Sequence, residues 1–101
     1  MLTNNRIELH NLLLTFCDNV YYQPPENLKM TFPAIVYTRS NIHNEHASDN
    51  IYRQLDSYTV TVIDKNPDSN IVRNISKIKY CSFNRHFISD NLNHDVFNLY
   101  Y

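Results

Sequence analysis

Glycine is missing from all 101 residues of the chain. Tight turns need residues that tolerate a positive φ, and Asn and Asp tolerate it best after glycine. The absence also excludes two glycine-built sites, the nucleophile elbow of serine hydrolases and the loop that cradles phosphates. The expected turn positions are Asn41, Asn44, Asn50, Asn66, Asn91 and Asn93.

Long apolar runs and a strong net charge are also missing. No run approaches the roughly 18 apolar residues that a membrane span requires. The polar start from Met1 to Arg6 lacks the basic-then-apolar order of a secretory signal. A net charge of −1 argues against general nucleic-acid binding. The sequence therefore predicts a single domain over residues 1–101, made and used in a cytoplasm, without a membrane partner.

Cysteine is scarce, with Cys17 and Cys81 as its two instances. Their spacing fits neither a metal site nor a paired redox motif. Because both lie among apolar residues, we expect buried, reduced thiols, and a disulfide between them is the alternative. Nothing in the sequence indicates a cofactor.

The clearest structural signal is an alternating stretch at residues 57–64, which predicts a central strand. Its side chains fall on two faces, Tyr58, Val60 and Val62 against Thr59, Thr61 and Ile63. Asn66 is suited to cap a helix, and Pro67 is suited to its first position. The sequence therefore predicts that the central strand leads directly into a helix over residues 67–78.

The remaining patterns complete an α+β fold. Apolar residues at helical spacing predict a first helix over residues 4–18. Short extended segments are expected at 20–22 and 34–38, and two further strands at 80–87 and 94–101, joined by a turn at 90–93. We expect Cys81, Phe83 and Phe87 on one face of their strand, and Phe97, Leu99 and Tyr101 on one side of the last. The predicted architecture is a mostly antiparallel sheet of four to five strands with two helices packed on it and one long hairpin arm.

The predicted arm is the polar segment from residue 39 to residue 56. Its His43-x-x-His46 spacing, with acidic neighbours, offers ligands for zinc or another divalent ion. A catalytic zinc pair usually stands on a rigid helix, however, so exposed side chains that meet a neighbouring subunit are the preferred interpretation. The candidate interface residues are Arg39, His43, Glu45, His46, Asp49, Tyr52 and Arg53.

Two groups of charged residues have alternative interpretations. The first group is His86, Asp90, His94 and Asp95. It lies at the two ends of the final turn and suits either acid–base chemistry or turn capping and His–Asp pairing that fix the hairpin, and no nucleophile accompanies it.

The second group is basic and consists of Arg73, Lys77, Lys79 and Arg85. It suits either the C-terminal end of a helix or a contact patch that faces DNA. These patterns predict a protein that is not an enzyme.

Tyrosine is abundant, with eight residues. Tyrosine suits subunit interfaces, where an apolar ring and a wet hydroxyl are both used, and it also has a high strand propensity. A small two-layer fold leaves one sheet face in need of cover. The composition therefore favours an oligomer.

Three segments, at residues 32–37, 58–69 and 90–97, resemble small proteins encoded in the head–tail joining and tail region of tailed phages and prophages. Their sequences are Phe-Pro-Ala-Ile-Val-Tyr, Tyr-Thr-Val-Thr-Val-Ile-Asp-Lys-Asn-Pro-Asp-Ser and Asp-Asn-Leu-Asn-His-Asp-Val-Phe. Within that region, the order of elements is similar to that of tail-terminator, or tail-completion, proteins of long-tailed siphophage type.

This resemblance implies a hexameric ring of α+β subunits at the head-proximal end of the tail tube. The ring would stop tube polymerisation and join the tube to the head connector, with the tail-tube protein and a head-completion protein as partners. DNA would pass through it without specific binding. The implied location is the virion, and the host cytoplasm during assembly. The alternatives are a connector stopper or adaptor protein, and a small non-enzymatic binding domain.

Overall fold

A computed structural model describes the backbone of residues 5–47 and 50–101, and the side chains of residues 6–40 and 56–101. The described residues form two helices and a five-stranded sheet, which confirms the α+β prediction. In chain order the elements are α1 (Asn5–Leu14), β1 (Val20–Tyr22), β2 (Ala34–Ala47), β3 (Asn50–Asp64), α2 (Asn70–Ser76), β4 (Cys81–Ser89) and β5 (Leu92–Tyr100).

The strands lie in the order β1-β2-β3-β5-β4, so the predicted central strand is central. β1 runs parallel to β2, and the other three pairs are antiparallel. The sheet is therefore mixed but mostly antiparallel. Neither α1 nor α2 is long and apolar enough to span a membrane, within the part of the chain that is described.

The core lies between one face of the sheet and the two helices. Alternation along β3 places Tyr58, Val60 and Val62 on this face, as predicted, where all three are fully buried. The ring of Tyr58 meets that of Tyr37 edge-on, with centroids 6.0 Å apart. The core residues are Leu9, Leu13, Cys17, Ile35, Tyr37, Tyr58, Val60, Val62, Ile75, Phe97 and Leu99.

Both helices are shorter than the sequence pattern predicts. α1 ends at Leu14, and the amides of the next residues bond back to Leu12 and Leu13 carbonyls in a tight final turn. The predicted cap of α2 is wrong, because Ser69 is the N-cap and accepts from the amide of Ile71 at 3.3 Å.

Asn66 forms a turn ahead of α2 instead of capping it. Its side-chain oxygen accepts from the amide of Asp68 at 2.9 Å, and its own amide donates to Asp64 at 3.0 Å. These two consecutive side-chain turns compete with helix formation. The helix therefore starts at Asn70, three residues after Pro67.

The predicted hairpin arm is a paired β-ribbon rather than a loop. β2 and β3 pair continuously in an antiparallel ladder from Ala34↔Ile63 to Ala47↔Asn50, with two register shifts. Asn41 and Asn44, which we expected at turns, therefore lie within β2.

Among the residues that the structure describes, positive φ angles mark four positions, of which one is an expected asparagine. Asp90 (φ 54°) and Asn91 (φ 63°) form the two-residue turn between β4 and β5, as the sequence predicts for Asn91. The others are Gln23 and Tyr80, which sequence patterns did not indicate.

A bulge in β4 corrects the prediction for one aromatic residue. The register with β5 shifts between Phe83↔Phe97 and Arg85↔Val96. An extra residue in a strand reverses the faces that follow it. Phe87 therefore lies on the sheet face opposite the helices, while Phe83 lies on the helix face.

Candidate interaction surfaces

The arm consists of the ends of β2 and β3 that extend beyond the rest of the sheet. β1 pairs with β2 at residues 35–37 alone, and β5 pairs with β3 only at residues 57–64. Among the described residues, strand segments 38–47 and 50–55 therefore pair only with each other, and Asp56 at the base also bonds to the backbone of Tyr101. An isolated two-stranded hairpin is at best marginally stable in water. The arm is thus a segment that a partner would stabilise.

The base of the arm is held by contacts on several sides. Asp56 accepts a hydrogen bond from the Tyr58 hydroxyl at 3.3 Å and lies 3.6 Å from the Arg39 guanidinium. Its backbone exchanges two hydrogen bonds with Tyr101, of 3.3 and 3.0 Å. Burial, followed by the negative charge of Asp56, raises the pKa of Tyr58 to about 12. The hydroxyl is therefore neutral at physiological pH.

Apart from Asp49, the predicted interface residues lie along this ribbon. Arg39 lies at its base with a side chain 44% exposed. Farther out, Glu45 pairs across the ladder with Arg53. The side chains of His43, Glu45, His46, Tyr52 and Arg53 lie outside the described set, and Asp49 lies outside the described residues altogether.

The metal interpretation of the His43 and His46 pair remains a hypothesis, because both side chains are outside the described set. Among the side chains that the structure describes, no group of three or more His, Cys, Asp or Glu could hold a metal ion.

A second surface, which sequence patterns did not single out, is the edge strand β4. Every residue from Ser82 to Ser89 is exposed. Three of these residues are large and apolar: Phe83 is 57% exposed, Phe87 38% and Ile88 69%. β4 pairs with β5 on one side, and no described strand pairs with its other side. Its position at the end of the sheet, rather than its composition, makes it a candidate binding edge.

Both faces of β4 carry an aromatic ring that contacts β5. On the open face, the Phe87 ring stacks on His94 at a centroid distance of 4.6 Å and an angle of 11°. The Arg85 guanidinium lies 5.4 Å from the same ring. On the helix face, Phe83 meets Phe97 edge-on at 5.5 Å. Both faces therefore present aromatic groups that contact neighbouring side chains but remain exposed.

A cleft of about 350 Å³ lies between α2 and the β4–β5 hairpin. Phe83, Phe97 and Val72 provide its apolar surface, and Asp68 and Arg73 are among its polar lining residues. The cleft lies beside the N-terminal end of α2, since the helix starts at Asn70.

The proposed acid–base group is only partly brought together. Nδ1 of His86 lies 2.8 Å from Oδ1 of Asp95 on the helix face. His94 lies on the other face against Phe87, and Asp90 lies in the turn. The His86–Asp95 pair joins β4 to β5 across the ladder, so the interpretation in which a His–Asp pair fixes the hairpin is favoured. That the chain is not an enzyme stays a prediction.

The basic residues do not form one patch. Lys77 is the C-cap of α2 and Arg73 lies in its last turn, where both positive charges complement the helix dipole. The Lys79 ammonium lies 5.0 Å from the Tyr80 ring centroid. Arg85 lies on the opposite side of the sheet from α2. This arrangement favours the helix-end interpretation over a DNA-facing patch.

Both cysteines are free thiols, and one of the two is buried as predicted. Cys17 is buried and its Sγ donates to the carbonyl of Pro33 at 3.3 Å. Cys81 is half-buried, and burial raises the pKa of its thiol. The environment of Cys81 is therefore not that of a reactive thiolate.

Comparisons of the chain with protein-family models, curated proteins and solved structures gave no match. The features of the chain that point to a function are therefore the arm, the edge strand β4 and the three sequence segments that resemble head–tail joining proteins.

Proposed function

We propose that this chain is a tail terminator of a tailed phage or prophage. It would assemble as a ring on the head-proximal end of the tail tube, end tube polymerisation and join the tube to the head connector. The resemblance of residues 32–37, 58–69 and 90–97 to head–tail joining proteins supports this role, and so does the α+β fold, which is the fold that the resemblance implies.

The observation that carries the proposal is the arm. A polar ribbon that leaves the sheet needs a surface to lie on, because two strands alone bury too little to be stable. In a head-to-tail ring, each subunit extends one such element and receives one from its neighbour. The ring would thereby stabilise the arm, and the arm would connect neighbouring subunits of the ring.

The same arrangement explains how a ring would stop the tube. A ring that binds the tube end on one side presents a different surface on the other. Incoming tube subunits then find no copy of their own binding surface, and the head connector takes their place. A net charge of −1 and dispersed basic side chains suit a channel through which DNA passes without specific binding.

Replacing Tyr52 and Arg53 together with Ala tests the role of the arm in assembly. We expect the wild type to form large, closed rings by light scattering and negative-stain microscopy, and the double variant to assemble less at the same concentration. The far-ultraviolet circular dichroism should be unchanged, because both residues lie beyond the part of β3 that pairs with β5.

A matched control replaces Leu28 and Lys29 with Ala, which removes one large apolar and one basic side chain from an exposed loop. This control should assemble like the wild type. If the arm variant assembles normally, or if it loses its fold, the arm is not the subunit contact.

The terminator role itself is tested by deleting the gene in the phage and measuring tails by electron microscopy. Tubes of uncontrolled length are the expected result. Tails of normal length that fail to join heads would instead indicate the stopper or adaptor role, and normal virions would contradict both.

A further inference from the structure

The hydrogen-bonding groups on the outer edge of β4 can be assigned from the turn that follows it. Asp90 and Asn91 both have positive φ, which is the type I′ turn of a two-residue hairpin. Such a turn makes Ser89 and Leu92 a hydrogen-bonded pair. Because bonded and non-bonded pairs alternate in an antiparallel ladder, Phe87 also bonds to β5. The amides of His86 and Ile88 then point away from the sheet.

The direction of β4 determines which strand it can accept from a second copy. β2, β3, β5 and β4 are neighbours in that order, and each pair is antiparallel. β4 therefore runs opposite to β2. Cys81, the first residue of β4, is level with Arg39 through Leu99 and Tyr58. When two copies have the same orientation and one is displaced along the strand direction, the β4 edge of one therefore faces the free part of β2 of the next in antiparallel orientation, which is the more stable pairing.

The two edges also match in length. β1 covers β2 only at residues 35–37, so segment 38–47 lacks a described partner on that side. β4 offers an edge of nine residues, Cys81–Ser89. An added strand would cover the flank of Ile88, which is 69% exposed.

We propose that the β4 edge of one subunit accepts segment 38–47 of β2 from a neighbouring subunit as an added antiparallel strand. The proposal depends on the proposed function in taking a second copy of this chain as the occupant. The contact joins two different edges, so repeating it in a closed ring pairs every β4 edge with a 38–47 segment. Strand addition of this kind gives affinity through the backbone and specificity through side chains.

A symmetric pairing of β4 with β4 is the competing arrangement. Antiparallel pairing over the whole strand would centre on Arg85, the fifth of its nine residues, and place two guanidinium groups opposite each other. Like charges directly opposite destabilise a strand pair. Such a pairing would also stop at two copies and leave both arms without a partner.

The test compares Ile88→Pro with Ile88→Ala in the full-length protein. Proline removes the outward amide without removing a bond to β5, whereas alanine keeps the amide and removes the side chain. We expect Ile88→Pro to weaken self-association at least about tenfold and Ile88→Ala by less than about threefold, since one lost backbone bond and its alignment outweigh one exposed side chain. Analytical ultracentrifugation measures the association, and circular dichroism checks the fold.

Amide hydrogen exchange on the assembled wild type provides a measurement that needs no variant. Segment 38–47 and the amides of His86 and Ile88 should become protected together on assembly. Protection of β4 without the arm indicates symmetric pairing and overturns the proposal. A wild type that stays monomeric at every concentration overturns it too. So does an Ile88→Pro variant that associates normally, or an Ile88→Ala variant whose association is weakened as much as that of Ile88→Pro.

The two proposals fail in different ways. If strand exchange is observed but deletion of the gene leaves tail length normal, the terminator role is wrong and the pairing stands. If a phage carrying Ile88→Pro makes stable rings and normal tails while the gene deletion does not, the pairing is wrong and the terminator role stands.

Discussion

The strands β3 and β4 have similar patterns and opposite environments. Both alternate apolar or aromatic residues with polar ones, which is typical of a strand with one buried face. In β3, Tyr58, Val60 and Val62 are completely buried, whereas in β4 Phe83 and Ile88 are mostly exposed. The difference comes from the strand order, which places β3 at the centre and β4 at the end of the sheet.

This contrast teaches that alternation predicts a strand but not its burial. α2 has only seven residues, and it leaves Phe83 and Ile88 of β4 largely exposed. The apolar residues of β4 are therefore little needed for the core of this chain. We infer that they are available to a partner, as the residues of the arm are.

Replacing Phe97 and Phe83 one at a time with Ala gives the largest expected effect. The two rings touch, yet Phe97 is 1% exposed and Phe83 57%. Phe97→Ala should lower the free energy of unfolding by about 3–5 kcal/mol, because it leaves a cavity in the core. Phe83→Ala should lower it by about 1 kcal/mol, the value of an edge-to-face contact.

Urea unfolding of the monomeric chain measures both effects, and association of the same variants completes the comparison. Phe83→Ala should weaken assembly more than its small effect on stability explains. Equal losses of stability in the two variants would show that Phe83 of β4 belongs to the core, and would contradict the contrast drawn between a buried β3 and an exposed β4.

Most of the fold could be predicted because local and long-range signals agree. The alternation in residues 57–64 and the helical spacing after residue 4 both describe faces that are indeed buried. The errors arise where two local signals compete. Asn66 and Pro67 are as suitable for a turn as for a helix start, and only the hydrogen bonds in the structure show that they form a turn.

The candidate surfaces were predicted less well, for a physical reason. The arm is polar and lies between two strands, so its place in the sequence indicates it. The β4 edge depends on which strand stands last in the sheet and on the bulge before Arg85, and neither follows from spacing. Burial and strand order are properties of the assembled fold.

Measuring the stability of Tyr58→Phe and of the wild type as a function of pH tests how strongly folding hinders the ionisation of Tyr58 at the base of the arm. The pKa of Tyr58 rises from 10.0 to about 12 on folding, so the unfolded chain loses this proton first. The contribution of Tyr58 to stability is fully present below pH 10 and should be lost as the pH rises towards 12. The expected fall is roughly 1–2 kcal/mol, reduced by solvent screening at the arm base.

Tyr58→Phe keeps the ring and removes the proton, so the fall should be smaller in this variant. A weaker fall should remain, because burial also raises the pKa of Tyr37. Denaturant midpoints measured across this alkaline range give the comparison. An equally steep fall in the variant would show that Tyr58 ionises as freely in the folded chain as in the unfolded one.

The smallest expected effect distinguishes the cap of α2 from the turn before it. Ser69→Ala should lower the free energy of unfolding by about 1 kcal/mol, since it removes the side chain that accepts from the Ile71 amide. Asn66→Ala should cost less, because its hydrogen bond to Asp68 is exposed. The reverse order would indicate that Asn66, rather than Ser69, contributes more to stabilising the start of α2. Thermal unfolding of the two variants measures this order.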